Sequence, residues 1–179
     1  MASLTPNAQR ATVFIAASET DSNLYYATKF MAPDPFIYVE IKGERILVMS
    51  DLEIDRAKNQ SSVDRVLSYS EVEGRAKTQG IAEPGVVEVV HILLREAGIT
   101  QILVPANFPF GHALKFQSLG YQLFPKRDPF YEERVVKTAE EVRAIEVAQR
   151  ATEQAVAAAF DLLRQASIEK DQLWFEGIP

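Results

Sequence analysis

The chain has 179 residues, 47% of them hydrophobic, and a formal net charge of −6. That length suits about one domain, and the composition suits a chain with a real core. The acidic balance, without any cluster of Lys and Arg, argues against nucleic acid or a membrane surface as main partners, and the lack of cysteine excludes disulfides, thiolate zinc sites and a cysteine nucleophile.

In chain order, Arg10 leads into ATVFIAAS. The run has the layout of a short signal-peptide core, but its brevity and β-branching favour a buried strand over residues 11–17. Turn and cap residues follow, then a short helix over residues 23–30, broken by Pro33-Asp34-Pro35. PFIYVEI and ERILVMS flank Lys42-Gly43 and predict a β-hairpin. Asp51 is expected to cap a helix running to Lys58, and residues 63–69 read as a strand. Residues 71–79 are polar and helical, ending at Gly80. Pro84 opens a second helix, with Val87, Val90, Leu93 and Leu94 at helical spacing, and Gly98 closes it. QILVP reads as a buried strand. Residues 110–119 read as a helix ended by Gly120, residues 121–124 as a strand, and residues 125–131 as a charged, aromatic connector. Strands alternating with helices, plus one hairpin, predict an α/β layer structure with a mixed sheet.

Motifs that carry chemistry are sparse. The eight glycines form neither a dinucleotide nor a P-loop signature, and no H-E-x-x-H or G-x-S-x-G occurs. His91 sits in the apolar run VVEVVHILL and reads as a structural or surface histidine, with a ligand role as the alternative. His112, in NFPFGHA with Asn107 nearby, has two readings, a pocket-lining residue or a packing and capping one. Asp51, Glu53 and Asp55 are spaced like metal carboxylates, yet residues two apart do not share a helix face, and Arg56 stands where a calcium loop needs glycine. Tyr25, Tyr26 and Phe30 fall at helical spacing, with core packing as the default and a substrate surface as the alternative.

The last part of the chain carries a long helix, starting in RVVKTAEEVRAIEVAQRATEQAV. Thr138 and Glu141 form a capping box: the Thr oxygen accepts from the Glu141 N–H, and the Glu side chain reaches back. Val142, Ile145, Ala148, Ala155, Ala159 and Leu163 mark one face, and Arg143, Glu146, Arg150, Glu153 and Arg164 the opposite one. From Ala151 on, apolar residues cover an arc too wide for one sheet face. The helix therefore needs a second partner: another subunit, another domain, or both.

RVVKTAEEVRAIEVAQ resembles the segment of the creatinase/prolidase/aminopeptidase P family in which a "K-S/T-x-E-E" start leads into a long helix with an "I-x-x-A" step; here these are Lys137-Thr138, Glu140-Glu141, and Ile145 with Ala148. DSNLYYATKF resembles the family's "N-x-x-Y-L-T-G-F" through Asn23, Tyr26, Thr28 and Phe30. Lys29 replaces the usual glycine, which puts the local backbone in question. ERILVMSDLEIDRAK resembles the family's strand, acidic turn and helix. The likeness spans essentially the whole chain. It implies a creatinase N-terminal-domain-like mixed sheet flanked by helices over residues 1–136, and a linker helix with the truncated start of a catalytic domain over residues 137–179.

The resemblance further implies a non-catalytic domain of a Xaa-Pro metallopeptidase, serving dimerisation and shaping the substrate entrance. The missing catalytic domain would hold two divalent metal ions through two Asp, one His and two Glu, with a bridging water as nucleophile. None of those ligands can be placed here, so no catalytic, cofactor-binding or metal-binding residue is assigned in this chain. Tyr25, Tyr26, Phe30, His112, Val156 and Phe160 are the candidate entrance or interface residues. A homodimer, a peptide substrate of the parent protein and a cytoplasmic location are expected. The alternatives are a stand-alone interaction module and a domain of a metal-free, inactive homologue.

Overall fold

A computed structural model describes residues 10–169 and 171–176. The chain divides into two compact units, Met1–Glu132 and Glu133–Pro179.

The first unit is built on strands β1 (Arg10–Ala16), β2 (Phe36–Ile41), β3 (Glu44–Met49), β4 (Arg65–Ser68), β5 (Gln101–Pro105) and β6 (Gln122–Lys126). They form one sheet in the order β4-β3-β2-β1-β5-β6. β2 runs antiparallel to both of its neighbours, and every other pairing is parallel. The expected α/β architecture with a mixed sheet is therefore present. Helices α1 (Ser22–Thr28), α2 (Ile54–Gln60), α3 (Tyr69–Thr78), α4 (Val86–Glu96) and α5 (Phe110–Ser118) make the connections.

The period of two along the strands separates two cores. Val13, Ile15, Val39, Ile46 and Val48 point to one face, where Val72 and Ala76 of α3, Phe116 of α5 and the apolar side of α4 cover them. Val87, Val90 and Leu94 recur at steps of three and four along α4 and are buried. Burying each such side chain stabilises the fold by about 1.5–3 kcal/mol. Phe14, Tyr38, Leu47 and Met49 point to the other face, under Leu24 of α1 and Ala57 of α2. Phe14, Tyr38 and Leu47 are register partners on adjacent strands, so one row of large side chains crosses the sheet.

The hairpin between β2 and β3 turns through Lys42 (φ 53°) and Gly43 (φ 86°). Positive φ at both positions matches the twist of the flanking strands. Three differences from the sequence reading have local causes. α2 starts at Ile54 behind Glu53, because the Asp51 carboxylate accepts from the Ser68 and Ser70 hydroxyls and does not cap the helix. α4 starts at Val86, with the Glu88 carboxylate accepting from the Gly85 N–H at 3.0 Å, so Pro84 lies before the helix. The connector after β6 ends in a 3-10 helix, Glu132–Val135, which periodicity does not announce.

The second unit holds α6 (Ala139–Gln165), 27 residues long, and the antiparallel pair β7 (Ser167–Glu169) and β8 (Gln172–Trp174). The capping box is formed: the Thr138 oxygen accepts from the Glu141 N–H at 3.2 Å, and the Thr138 N–H donates to the Glu141 carboxylate at 2.9 Å. No residue of α6 is buried. Residue 170 and residues 177–179, part of the expected catalytic-domain opening, lie outside the described residues.

Candidate functional surfaces

The first surface grows from α1. Asp21 caps the helix, its Oδ1 accepting from the Asn23 and Leu24 N–H groups at 3.0 Å. The helix ends at Lys29, which is left-handed (φ 52°, ψ 19°) and donates its N–H to the Tyr25 carbonyl at 2.7 Å. Glycine takes this conformation freely and lysine at a cost. The backbone thus adopts a glycine-like turn despite the substitution.

Over α1 and the outer face of β1 lies the strap of residues 125–131. Asn23 Nδ2 donates to Asp128 Oδ1 at 2.8 Å. Phe130 packs edge-on against Phe14 with ring centroids 4.8 Å apart, and Tyr131 stacks beside Phe14 at 6.4 Å. Tyr26 lies 5.5 Å from Tyr131, and Lys29 Nζ sits 4.4 Å above the Tyr26 ring. Below them, burial together with Tyr131 and Glu40 pushes the Tyr38 hydroxyl far above the ordinary tyrosine range, so it stays neutral. Tyr38 donates to Glu40 Oε2 at 3.2 Å.

These contacts sort the aromatic candidates of α1. Tyr25 is 39% exposed and Tyr26 half-buried, so both reach the surface. Phe30 does not: it is fully buried, edge-on to Phe36, with the Arg56 guanidinium 4.3 Å above its ring. It supports the surface from beneath, in keeping with the core-packing reading of this residue. The strap residues Phe130 and Tyr131 belong to the same cluster and were not singled out in the sequence. Their only signal there was the aromatic character of an otherwise charged connector.

The two histidines lie on the other face. His91 Nδ1 is 2.8 Å from the Tyr121 hydroxyl, a contact that ties α4 to the start of β6. Burial and the neighbouring Arg95 lower the His91 pKa, with Glu88 opposing them, and burial pushes Tyr121 up to about 12. His91 is structural, as expected. His112 is half-buried and packs edge-on against Phe108, with ring centroids 6.2 Å apart. Phe110, close by, is 75% exposed.

A third cluster joins the carboxyl ends of β3 and β4. Asp51 accepts from the Ser68 and Ser70 hydroxyls, and these two bonds lower its pKa. Ser68 also caps α3, accepting from the Glu71 N–H at 3.2 Å. The cluster pins one turn to the next. Among the described residues, no group of His, Cys, Asp and Glu could hold a metal ion. The described residues do not fit a two-metal centre.

On α6, Val156 is 49% and Phe160 55% exposed. Both line a concavity of about 420 Å³ on the helix surface. No helix among the described residues is long and apolar enough to cross a membrane.

Comparison with known proteins fixes the fold. No family model and no curated protein sequence matches the chain. Solved structures do. Prolidase from Pyrococcus furiosus matches at 19% identity and a TM-score of 0.62, over 90% of this chain and 41% of that one. X-Pro aminopeptidase from Thermotoga maritima matches at 14% identity and a TM-score of 0.69, over 90% and 43%. Prolidase from Pyrococcus horikoshii matches at 17% identity and a TM-score of 0.64, over 92% and 42%. The chain has the fold of a part of these proteins, and it spans about two-fifths of their length.

Proposed function

We propose that this chain is the N-terminal, non-catalytic domain of a Xaa-Pro dipeptidase or aminopeptidase-type metallopeptidase. The carrying observation is one of coverage: nine-tenths of the chain superposes on such proteins, yet it accounts for about two-fifths of each. In this reading residues 1–136 form the N-terminal domain, and residues 137–179 form the linker helix and the start of the catalytic domain. The parent protein, cytoplasmic and homodimeric, hydrolyses peptide bonds next to proline. Its two metal ions are held by residues that this chain does not supply.

Within that reading the domain contributes surfaces. Tyr25 and Tyr26, on the strap-bearing face, and His112, on the other, are the candidates for shaping the substrate entrance. Val156 and Phe160 on α6 are the candidates for an interface. An exposed apolar helix face of this extent is the mark of an element built to be covered.

The test is the parent reading frame and its activity. The expected result is a continuation past residue 179 that carries two Asp, one His and two Glu, and whose product cleaves an Xaa-Pro dipeptide only with divalent metal. The 179-residue chain alone is expected to be inactive with or without metal. A parent frame that lacks those five residues overturns the peptidase reading.

A further inference from the structure

We infer that α6 pairs with α6 of a second copy of this chain, antiparallel, about a two-fold axis between Ala158 and Ala159. The inference rests on the homodimer proposed above and gives that dimer a surface and a register.

The concavity on α6 is lined by Glu153, Val156, Ala157, Phe160 and Arg164, among others. Glu153, Val156, Ala157 and Phe160 stand at positions i, i+3, i+4 and i+7. That set forms the hole into which a facing helix inserts a side chain. Ala157 is the smallest side chain in the set, and the half-exposed ring of Phe160 lines the same concavity. At about 100° per residue, Glu153, Ala157, Phe160 and Arg164 fall within an arc of roughly 60°. One straight seam can therefore engage all four.

These four residues complement themselves when a second helix runs the opposite way. Residues equidistant from the axis face each other across the pair. Phe160 then faces the partner's Ala157, a large side chain over a small one, and Glu153 faces the partner's Arg164, anion to cation. Symmetry makes each contact twice. A parallel pair in register would set phenylalanine on phenylalanine and glutamate on glutamate, which like-charge repulsion disfavours. The present partners of the two charges are on their own helix. Gln149 Nε2 donates to Glu153 Oε1 at 3.0 Å, and Arg164 Nη1 lies 2.9 Å from Asp161 Oδ1. Such exposed contacts are worth little, so exchanging them for cross-helix ones costs little. The alanine-rich arc through Ala148, Ala155 and Ala159 lies roughly 100° or more round the helix. It stays free for the catalytic domain proposed above.

The experiment measures the association of the 179-residue chain by sedimentation equilibrium, with helix content checked by circular dichroism. The wild-type chain is expected to show a concentration-dependent dimer. Glu153→Arg or Arg164→Glu alone is expected to weaken it by on the order of tenfold, because each sets like charges face to face twice. The double variant Glu153→Arg/Arg164→Glu restores the opposite-charge pairs and is expected to restore the dimer. The chain has no cysteine, so Ala157→Cys and Phe160→Cys chains can be mixed and oxidised. The mixed disulfide is expected to form ahead of either homodisulfide. A dimer indifferent to the charge variants, with no preference for the mixed disulfide, overturns the α6 pairing and leaves the homodimer reading intact. A chain monomeric at every concentration overturns the pairing as well, whereas the peptidase reading stands or falls separately on metal-dependent cleavage by the parent protein.

Discussion

Asn23 donates its side-chain amide to Asp128 at 2.8 Å, although 105 positions separate them in the chain. Asn23 is buried on α1, and Asp128 is exposed on the strap. The bond closes the strap over the aromatic cluster around Phe14. Asp128→Ala leaves a buried amide without this acceptor and is expected to cost about 1–2 kcal/mol in urea unfolding. Asp128→Asn, which keeps an oxygen acceptor, is expected to recover part of that loss.

Phe14 is the hub of the same cluster, in contact with Tyr38, Phe130 and Tyr131. Phe14→Ala removes a fully buried ring from the middle of the sheet. The expected loss is about 3–5 kcal/mol, read as a shift of the denaturation midpoint at unchanged slope. Phe110→Ala, at a side chain 75% exposed, is the control and is expected to move the midpoint little.

Lys29 holds a left-handed conformation that favours glycine. Lys29→Gly relieves about 1 kcal/mol of backbone strain and gives up the cation–π contact with Tyr26, worth about 0.5–1 kcal/mol at an exposed site. The two nearly offset, with a small net gain expected. Lys29→Val keeps the strain, adds β-branching and loses the cation, so it is expected to destabilise. Thermal melts of the two variants should move in opposite directions.

His91 makes stability depend on pH. Burial and Arg95 depress its folded pKa below the unfolded value of about 6.5. The unfolded chain therefore binds the proton more readily. The contribution of His91 is fully present above about pH 6.5 and is lost as pH falls through the lower folded value. The ring also holds the 2.8 Å contact between its Nδ1 and the Tyr121 hydroxyl. Urea midpoints measured from pH 7.5 down to pH 5 should fall for the wild type and stay flatter for His91→Gln.

The capping box holds the start of α6, a helix with no buried residue. Thr138→Ala is expected to cost about 1 kcal/mol of helix stability. Circular dichroism should show a loss of helical signal, and Thr138→Ser should largely keep it.

Much of the fold was legible where one local rule acted without competition. Lys42-Gly43 between two apolar runs announced the hairpin, and the spacing of Val87, Val90 and Leu94 announced α4. Thr138 and Glu141 announced the start of α6. The reading failed where a side chain had two suitors. Asp51 could cap a helix or bind hydroxyls 17 and 19 positions away, and only the pairing of β3 with β4 brings Ser68 and Ser70 within reach. Phe30 shared a periodicity with Tyr25 and Tyr26, and the core-packing default holds for it alone in full, because α1 ends before it and the chain turns the ring inward. The strap was legible as aromatic and charged, yet its place over Phe14 follows from tertiary packing and from no local pattern.

The order of strands in the sheet has a consequence for synthesis on the ribosome. β1 to β4 pair with strands close to them in sequence, so four strands can assemble once residue 68 has emerged. β1 then waits with one edge bare until β5 arrives, Arg10 meeting Gln101 across 91 positions. Contacts of such separation form late, because the intervening loop must close first. For the time it takes to translate α3 and α4, the nascent chain carries an open, β-branched edge of the kind that neighbouring chains can capture.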